Sequence, residues 1–341
     1  MRAAFCTGPG ALVVREVASP LPRPGEVRLR VHACGICGSD LHYFHGESRP
    51  PRGCPGHELS GTLLDPCGPL APGTPVVAEP LLACGSCPQC RAAEPNLCPR
   101  LRLLGLSSHA GALAEEVVVP AAGVHPLPPD LDLDRAVLAE PLAVAVHAAK
   151  LAGIAPGSVG LVLGGGAIGL LTAYAARRLG ARVQLSARHP HQAAMARTLG
   201  ATAIAADPEA VRAAYAARAP DVVLETVGGT AATLGLALEV VRPAGRVVML
   251  GVFTRPVPLD AARLLTKEIH LVGAMTYRRS PEPDFAVALR WLAEDADLLG
   301  AVVTHRVSLA DVGRGFALAA DKTRGSIKVA VHPHLAPADR S

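Results

Sequence analysis

Residues 160–187 read GLVLGGGAIGLLTAYAARRLGARVQLSA, and this stretch decides the fold of the second half of the chain. The apolar run GLVLGG predicts a buried strand, AIGLLTAYAARRLGA has the spacing of an amphipathic helix, and ARVQLSA predicts the next strand. The pattern continues with a helix in HPHQAAMARTLGA, a strand in DVVLETVG, a helix around 231–242, and the strands GRVVMLG and IHLVGAM. Strands that alternate with helices of this length are typical of βαβ units on a parallel sheet.

The first 146 residues have a different composition and pattern, because Pro, Gly and Cys are frequent and the apolar runs are short. The runs VVREV, EVRLRVHA and LAEEVVVP predict strands, so we expect a β-rich domain with irregular loops. Near the end of the chain, GSIKVAV predicts a strand that can rejoin this first domain. We therefore expect one domain from residues 1–146 and 279–341, and a second from residues 147–278.

Composition and charge exclude several classes of function. The chain has 341 residues, of which 50% are hydrophobic and 18% charged, as in a compact globular protein with two domains. The net charge is +4 and no basic run is present, so the sequence does not support nucleic-acid binding.

Residues 151–176 carry no charge and could suggest a membrane span, but Pro156 and seven glycines favour a glycine-rich turn. The N-terminus lacks the apolar core of a signal peptide, so we expect a cytoplasmic protein.

Four of the nine cysteines cluster in residues 84–98, namely Cys84, Cys87, Cys90 and Cys98. Short loops between cysteines bring four thiolates to one tetrahedral ion at low entropic cost. Free buried cysteines or a disulfide pair are alternatives, although disulfides are disfavoured without a secretory signal. An iron–sulfur cluster also takes four thiolates, but a closed structural site fits Zn²⁺ better. We therefore expect a lobe that is held together by a structural zinc.

A second set of metal-binding residue types lies in CGICGSDLHYFHGE and GCPGHELSG. Cys37, His57 and Glu58 offer a thiolate, an imidazole and a carboxylate, and three protein ligands leave one position of Zn²⁺ open, as in catalytic sites. Zn²⁺ lowers the pKa of bound water from about 16 towards about 7, so it activates a hydroxyl at neutral pH. His57 and Glu58 would point to opposite faces of a regular strand, so either flanking glycines bend the chain or only one is a ligand. Glu140, in AEPLAV, is the other candidate acid.

Gly164, Gly166 and Gly169 form GxGxxG between a predicted strand and a predicted helix, which is the context of a dinucleotide-binding turn. The first glycine allows the tight turn, the second lets the pyrophosphate approach, and the third lets the helix pack on the strand. NAD-binding sites place an acid about 20 residues further on, where it accepts hydrogen bonds from the ribose. No Asp or Glu occurs in residues 180–206, which favours NADP(H).

The order and spacing of CGICGSD, GHExxG, C-x2-C-x2-C-x7-C, AEPLAV, VLGGGAIGLL and GSIKVAV resemble the zinc-containing medium-chain dehydrogenase/reductase family from end to end. CGSDLHY with GHE is similar to sorbitol dehydrogenases in particular, and L-idonate dehydrogenases are also close, partly through AADKT at 319–323. The resemblance implies an α/β protein with a GroES-like β-rich catalytic domain and a Rossmann domain built on a doubly wound parallel sheet. It implies a zinc-dependent alcohol dehydrogenase with one catalytic and one structural zinc per chain.

The resemblance also implies roles for residues of the catalytic domain. Cys37, His57 and Glu58 would bind the catalytic zinc, and Glu140 would hold water or substrate, or exchange as a ligand.

Two further roles concern proton transfer and substrate. Ser39 and His42 would relay a proton to solvent, a role that suits an imidazole with a pKa near neutrality. Tyr43 would line the polyol pocket.

Aligned on the family pattern, the position of the ribose-binding acid is Ala187, and Arg188 follows it. Arg188 can pair with the 2′-phosphate of NADP(H), and Ser186 can donate a hydrogen bond to it. The resemblance places three more residues at the cofactor, namely Ile168, Gly251 and Met275.

The substrate is less constrained by the sequence. Sorbitol dehydrogenases carry Phe-Arg-Tyr after the last cofactor-domain strand, whereas residues 275–277 here are Met-Thr-Tyr. Thr276 cannot supply the arginine charge, although Arg278 or Arg279 can. We expect a polyol or ketose substrate, with L-idonate, L-threonine or butanediol dehydrogenase activity as alternatives.

Two other classes of protein use a similar scaffold, a non-catalytic nucleotide-binding protein and a zinc-free quinone reductase. The full set of metal-ligand residue types argues against both. Long sheet edges predict a homo-oligomer, either a dimer or a tetramer.

Overall fold

A computed structural model describes residues 1–51 and 53–337. The chain divides into two compact units. The first consists of Met1–Glu140 and the chain from Arg278 onward, and the second is Pro141–Tyr277. The expected domain boundary at residue 146 falls inside a continuous helix, Ala139–Leu151, where no loop signal marks a boundary in the sequence.

The amino-terminal part of the first unit consists of short strands and one- to two-turn helices. These elements are β1 (Arg2–Gly8), β2 (Ala11–Glu16), β3 (Glu26–Gly35), α1 (Gly38–Phe44), β4 (Glu58–Leu63), β5 (Pro75–Ala78), β6 (Leu81–Leu82), α2 (Pro88–Arg91), β7 (Arg102–Leu103), β8 (Glu116–Pro120), β9 (Val124–Pro126), α3 (Leu133–Ala136) and the first residues of α4 (Ala139–Leu151).

The second unit alternates strands with helices, as the sequence pattern predicts. Its elements are β10 (Val159–Leu163), α5 (Ala167–Arg178), β11 (Arg182–Ala187), α6 (Pro190–Thr198), β12 (Thr202–Ala205), α7 (Pro208–Ala214), β13 (Val222–Glu225), α8 (Thr233–Val240), β14 (Arg246–Met249), α9 (Ala261–Thr266) and β15 (His270–Gly273). The chain then returns to the first unit through α10 (Asp284–Glu294), α11 (Ala296–Gly300), β16 (Val303–Ser308), α12 (Val312–Ala320) and β17 (Lys328–His332).

Within the described residues, the second unit contains a six-stranded parallel sheet with the order β12-β11-β10-β13-β14-β15. The order reverses between β10 and β13, and the carboxyl ends of the strands beside such a reversal form the crevice where ligands bind. Its central strands are buried on both faces, so they consist largely of Val and Leu. The expected doubly wound Rossmann sheet is confirmed.

The sequence pattern did not predict β12 and α7, which form an additional strand–helix pair in this unit. The strand TAIA has four residues, of which the two central ones are half-buried. An edge strand of this kind has neither the length nor the apolar run that identifies a parallel strand in a sequence.

The first unit is built on a sheet with the order β16-β17-β3-β4-β5-β9, and β8 also pairs with β3. Alternate residues of β3, Val27, Leu29 and Val31, are at most 5% exposed, so one face of this strand packs on the core. β17 pairs antiparallel with β3, with Ala330 opposite Gly35. The closing strand therefore rejoins the first unit, and the expected GroES-like β-rich domain is confirmed.

Among the residues that the structure describes, none of the helices combines the length with the apolar character that crossing a bilayer demands. Residues 151–176, the uncharged stretch, contain the end of α4, all of β10 and most of α5. The interpretation of this stretch as a glycine-rich turn between a strand and a helix is thus confirmed.

Candidate functional site

Strands β3 and β4 bring the candidate zinc ligands to one end of the sheet. The two strands are antiparallel, with Gly35 opposite Glu58. Cys37 lies just beyond the end of β3, and His57 directly precedes β4. Because the end of one strand lies beside the start of its antiparallel partner, these side chains meet although they are distant in sequence. The ligand atoms of Cys37, His57 and Glu58 all lie within 4.8 Å of one another.

Asp40 lies beside these ligands, although the sequence pattern did not identify it. Cys37 is the N-cap of α1, and its backbone N–H donates to Asp40 Oδ2 at 2.9 Å. Asp40 Oδ1 lies 3.7 Å from Nδ1 of His57. At this distance the negative charge of Asp40 faces the imidazole without a hydrogen bond. The signal was present in CGSD, since an acid three residues after an N-cap can complete a capping box.

A bend at Gly56 directs His57 towards the other ligands. Gly56 has φ +97°. A Cβ at this position would lie 2.7 Å from Cys34 Sγ, so a side chain does not fit there. His57 lies outside the regular strand that begins at Glu58, so the two residues are not forced onto opposite faces. Of the two alternatives that the sequence left open, the structure shows the bent chain.

The surroundings of His57 favour a positive charge. Burial lowers the pKa of His57, but the charges of Asp40, Cys37 and Glu140 outweigh burial and raise this pKa well above its usual value. Within the described part of the chain, the buried Nδ1 of His57 has no hydrogen-bond partner. Groups that stabilise a proton at this place also stabilise a metal cation, which takes the place of the proton. The donor set and its electrostatics therefore fit Zn²⁺.

Glu58 forms a buried ion pair with Lys328 of β17. The Nζ of Lys328 lies 2.6 Å from both carboxylate oxygens and donates to the carbonyl of Ile36 at 3.1 Å. Glu58 is 0% exposed and Lys328 is 3% exposed. Burial lowers the pKa of Lys328, but Glu58 outweighs burial and raises it above its ordinary value. A side chain at Gly35 would collide with the carboxylate, so this glycine makes room for the pair.

Glu140 lies in the first turn of α4 and is 7% exposed. Burial raises the pKa of Glu140 to about 7, while the charge of His57 acts in the opposite direction. Glu58 is the acid whose oxygen lies within 4.8 Å of the other ligand atoms, but Lys328 already pairs with it. Distance therefore favours Glu58 as the third ligand, whereas the existing pairing of Glu58 with Lys328 favours Glu140.

The predicted relay residues lie on α1. Ser39 Oγ is 3.8 Å from Cys37 Sγ, so this hydroxyl lies beside the metal position. His42 Nδ1 lies 2.8 Å from Glu47 Oε2, and 20% of the His42 side chain is exposed. A path from Ser39 to His42 would thus lead from the buried ligands towards the surface.

Tyr43 lies in the core of the first unit. It is 3% exposed, its ring packs near Phe316 with the centroids 6.2 Å apart, and its hydroxyl donates to Asp40 at 3.1 Å. This side chain contributes to the core and supports Asp40. The placement does not support the expectation that Tyr43 lines a polyol pocket.

The four cysteines of the 84–98 lobe converge on one point. Their sulfur atoms all lie within 4.8 Å of one another, and all four are free thiols. Backbone N–H groups point at the sulfurs, for example from Cys84 and Arg100 to Cys98 Sγ at 3.4 Å each. Hydrogen bonds led by that of Ser86 lower the pKa of Cys84 to about 5, which favours the thiolate. This arrangement fits the expected structural zinc.

The three fingerprint glycines meet three different structural needs. Gly164 has φ +114°, a conformation that L side chains rarely adopt. A Cβ at Gly166 would meet no atom within 4 Å, which leaves the space that a pyrophosphate needs. A Cβ at Gly169 would collide with the carbonyl of Gly164, so the helix α5 can pack closely only with glycine there. The turn fits a dinucleotide.

The end of β11 carries the residues that we expect to choose between cofactors. The backbone N–H of Gly164 donates to Ser186 Oγ at 3.1 Å, which ties the glycine turn to this strand without using the hydroxyl proton. Ala187, the last residue of β11, is 8% exposed, and Arg188 directly after it is exposed. No carboxylate of this strand end competes for Arg188.

The other expected cofactor residues lie at the same edge of the sheet. Gly251 and Met275 share a concavity of about 310 Å³ at the carboxyl ends of β14 and β15. Ile168 is half-buried in the first turn of α5, beside the glycine turn. These placements suit a nicotinamide dinucleotide that extends across the carboxyl ends of the strands.

Arg278 and Arg279, which could have replaced the substrate-binding arginine of sorbitol dehydrogenases, are engaged elsewhere. Arg278 Nη1 lies 3.2 Å from Glu94, and Arg279 Nη2 lies 2.8 Å from Glu79. Thr276 in the second unit has φ +44°, and its buried Oγ1 has no hydrogen-bond partner among the described residues.

Comparison with known proteins agrees with this geometry. Residues 23–129 match the family model of the alcohol dehydrogenase GroES-like domain, and residues 167–294 match that of the zinc-binding dehydrogenases. A 2-dehydro-3-deoxy-L-galactonate 5-dehydrogenase from Pseudoalteromonas atlantica is 32% identical over 93% of this chain and 94% of its own. A sorbitol dehydrogenase from Arabidopsis thaliana is 30% identical over 89% of this chain and 87% of its own.

Solved structures show the same likeness. A protein described as a zinc-binding dehydrogenase from Sinorhizobium meliloti 1021, bound to NADP, superposes with a TM-score of 0.86. It is 33% identical, and the match covers 97% of this chain and 99% of the other. With both family models in order along the chain, the protein is a zinc-dependent alcohol dehydrogenase that belongs to the zinc-containing medium-chain dehydrogenase/reductase family, in its sorbitol dehydrogenase-like branch.

Proposed function

We propose that this enzyme interconverts a secondary alcohol of a polyol or sugar acid with the corresponding ketone, and that NADP(H) is its preferred cofactor. The convergence of Cys37, His57 and Glu58 within 4.8 Å carries the proposal. Two relatives support the substrate class, since one is named for a sugar-acid derivative and the other for sorbitol. In the oxidative direction, the carbinol carbon loses a hydride to NADP⁺ and the hydroxyl loses a proton to solvent.

Bound zinc, held by Cys37 and His57 with Glu58 or Glu140, supplies a Lewis acid that lowers the pKa of a hydroxyl, and bound NADP⁺ supplies the hydride acceptor. Ser39 would accept a hydrogen bond from the substrate hydroxyl and take up its proton at Oγ while it passes its own hydroxyl proton on towards His42.

His42 would carry this proton onward. Glu47 can only accept a hydrogen bond, so the Nδ1 of His42 must donate to it. The lone pair of neutral His42 then lies on Nε2, which is the nitrogen that can receive a proton. Glu47 is therefore a positioning residue for this relay.

The substrate class is tested with a panel of alcohols and both cofactors. We expect turnover of polyols or sugar acids, and its loss when the zinc is removed by a chelator. Preferential oxidation of L-threonine or butanediol would support an alternative substrate on the same zinc chemistry. No oxidoreductase activity from a protein loaded with two zinc ions per chain would contradict the proposal.

The cofactor preference gives a direct prediction for Arg188. Replacing Arg188 with Ala removes a charge-assisted contact worth about 1.5–3 kcal/mol, so KM for NADP should rise about ten- to a hundredfold while KM for NAD stays nearly unchanged. Arg182→Ala is the matched control, because Arg182 is an exposed arginine at the opposite end of β11. A wild-type enzyme that prefers NAD would refute the cofactor proposal.

The cysteine lobe gives a prediction for the zinc content and for the free energy of unfolding. Replacing Cys90 with Ser should reduce bound zinc from about two to about one per chain and lower the free energy of unfolding by roughly several kcal/mol, because a structural zinc contributes to folding directly. Cys67→Ser is the control, since the half-buried Cys67 is also a free thiol. Atomic absorption and thermal unfolding measure both effects. Retention of two zinc ions by Cys90→Ser would contradict a four-thiolate site.

We also propose a homo-oligomer, a dimer or a tetramer, in the cytoplasm. Among the described residues, β15 pairs with β14 along one edge, and its other edge can pair with a second copy. Light scattering coupled to size exclusion measures the mass, and a monomer at micromolar concentration would contradict the proposal.

A further inference from the structure

A third group of metal-ligand side chains lies in the first unit, separate from the two zinc sites. His32 comes from β3, Asp134 from α3 and His332 from the end of β17. Their ligand atoms lie within 4.8 Å of one another. His32 Nε2 is 2.6 Å from Asp134 Oδ1, and His332 Nδ1 is 3.8 Å from the same oxygen. The two imidazole rings meet edge to face, with their centroids 5.4 Å apart.

We propose that His32, Asp134 and His332 form a third metal site, which binds a divalent transition-metal ion such as Cu²⁺, Ni²⁺ or Zn²⁺. Two imidazoles and one carboxylate are ligands that suit these ions, and three protein ligands leave positions for water. Ions that prefer only oxygen ligands, such as Mg²⁺ and Ca²⁺, are not expected to bind.

A surface His–Asp hydrogen bond is a simpler explanation for two of these residues, but it does not account for His332. The side chain of His332 is 10% exposed, and its buried Nε2 has no hydrogen-bond partner among the described residues. Its Nδ1 lies 3.8 Å from Asp134, which is too far for a hydrogen bond. Burial lowers the pKa of His332, which favours the neutral imidazole that a metal requires. A bound ion would take the lone pair of Nδ1, the nitrogen that faces Asp134.

The observed distances require only a small adjustment. Ligand atoms about 2.0–2.2 Å from a zinc ion lie roughly 3.3 Å apart in a tetrahedral site. The pair of His32 and Asp134 must therefore separate slightly from 2.6 Å as the ion replaces the shared proton. The side chains of these two residues are 43% and 41% exposed, so they have room to move, whereas the nearly buried His332 stays fixed.

Arg306 both supports and weakens the site. Its Nε lies 3.4 Å from Asp134 Oδ2, the oxygen that does not face the histidines, so it holds the carboxylate in place. Its positive charge also repels a cation. We therefore expect weaker binding here than at the two sites with thiolate ligands, so dialysis should remove the third ion and leave two zinc ions per chain.

Occupancy of this site would tie together three segments that are distant in sequence. β17 carries Lys328, the partner of Glu58, and α3 directly precedes the turn that leads to Glu140. A metal ion would thus hold the closing strand β17 against β3 and α3, and it would stabilise the folded protein by RT ln(1 + c/Kd), which rises with the free metal concentration c.

The test uses the full protein with both zinc sites filled. One equivalent of Cu²⁺ is added, and electron paramagnetic resonance at low temperature records the nitrogen couplings. We expect one type II copper site with two coordinated imidazoles, and a thermal midpoint that rises with added Ni²⁺. His32→Ala and His332→Ala should each weaken Cu²⁺ binding at least about tenfold and leave a spectrum with one fewer nitrogen. Both variants should retain two zinc ions per chain after dialysis.

His45→Ala is the matched control, because His45 is an exposed histidine elsewhere in the same unit. It should bind Cu²⁺ as the wild type does. If one of the two variants fails to fold, Asp134→Asn, which keeps the size of the side chain, tests the same site. The proposal is overturned if the wild type shows no third equivalent, or if the copper spectrum and affinity are unchanged in His32→Ala and His332→Ala.

Discussion

Replacing His57 with Ala should remove the catalytic zinc and lower kcat/KM by at least about a thousandfold. The reason is that a metal Lewis acid contributes several kcal/mol to the barrier, and each 1.36 kcal/mol is a factor of ten. Zinc content after dialysis should fall from two to one per chain, because the four-cysteine site does not involve His57. Steady-state kinetics and metal analysis of the same preparation measure both effects.

The control for this prediction is again His45→Ala, which should keep both zinc ions and normal activity. Affinity for NADPH, measured by fluorescence titration, should change little in His57→Ala, since the glycine turn belongs to the other unit. An active His57→Ala enzyme with two zinc ions would show that the catalytic metal is not bound by this residue, and the proposed function would then need a different site.

Replacing Lys328 with Met should destabilise the protein by about 3–5 kcal/mol, because it leaves the carboxylate of Glu58 buried without a partner. For a protein of this size, we expect a decrease in Tm of roughly 10 °C. Methionine has nearly the same length as lysine, so the change removes the charge with little change in packing. Thermal and urea denaturation measure the loss.

Two further variants show whether the loss of stability comes from breaking the ion pair or from removing a buried lysine charge. Glu58→Gln combined with Lys328→Met removes both charges, and it should recover a large part of the lost stability. Lys322→Met is the matched control, since burial and the charge of Lys328 lower the pKa of Lys322 to about 8, and no carboxylate among the described residues offsets this effect. That variant should be neutral or slightly stabilising. Equal losses in Lys322→Met and Lys328→Met would contradict the importance of the ion pair.

The parts of the fold that the sequence predicted well are those with strong local periodicity. The units β10–α5–β11 and β13 to β15 contain long apolar runs and a glycine fingerprint, so each element could be identified on its own. The short strand β12 and the helices α7 and α9 lack such runs, and their residues are held by neighbours that a sequence pattern does not show. The expected boundary at residue 146 and the division of the two units after Glu140 both lie within α4. A continuous helix contains no turn residues, so no local signal marks the position where one unit ends.

The candidate site shows the same division. Gly164, Gly166 and Gly169 could be interpreted individually, because each meets a backbone requirement within a single turn. The nearness of Asp40 to His57, by contrast, appears only in the folded chain, because it joins α1 to the residue that precedes β4. The expected role of Tyr43 at a polyol pocket stays a prediction, because a family pattern does not show which way a side chain points once α1 packs on α12.

The sequence by itself determined the classes of chemistry, namely a four-thiolate zinc lobe, a dinucleotide turn without a ribose-binding acid, and a thiolate–imidazole–carboxylate set for a catalytic ion. The zinc lobe and the dinucleotide turn are encoded in short segments whose spacing restricts the geometry, and the third set is encoded in its residue types. Only the tertiary structure decided which distant groups meet, since the pairing of β3 with β4 and β17 brings Glu58 to Lys328 and His32 to His332. Such contacts depend on strand register and on the closure of long loops, and neither leaves a local signal in a single sequence.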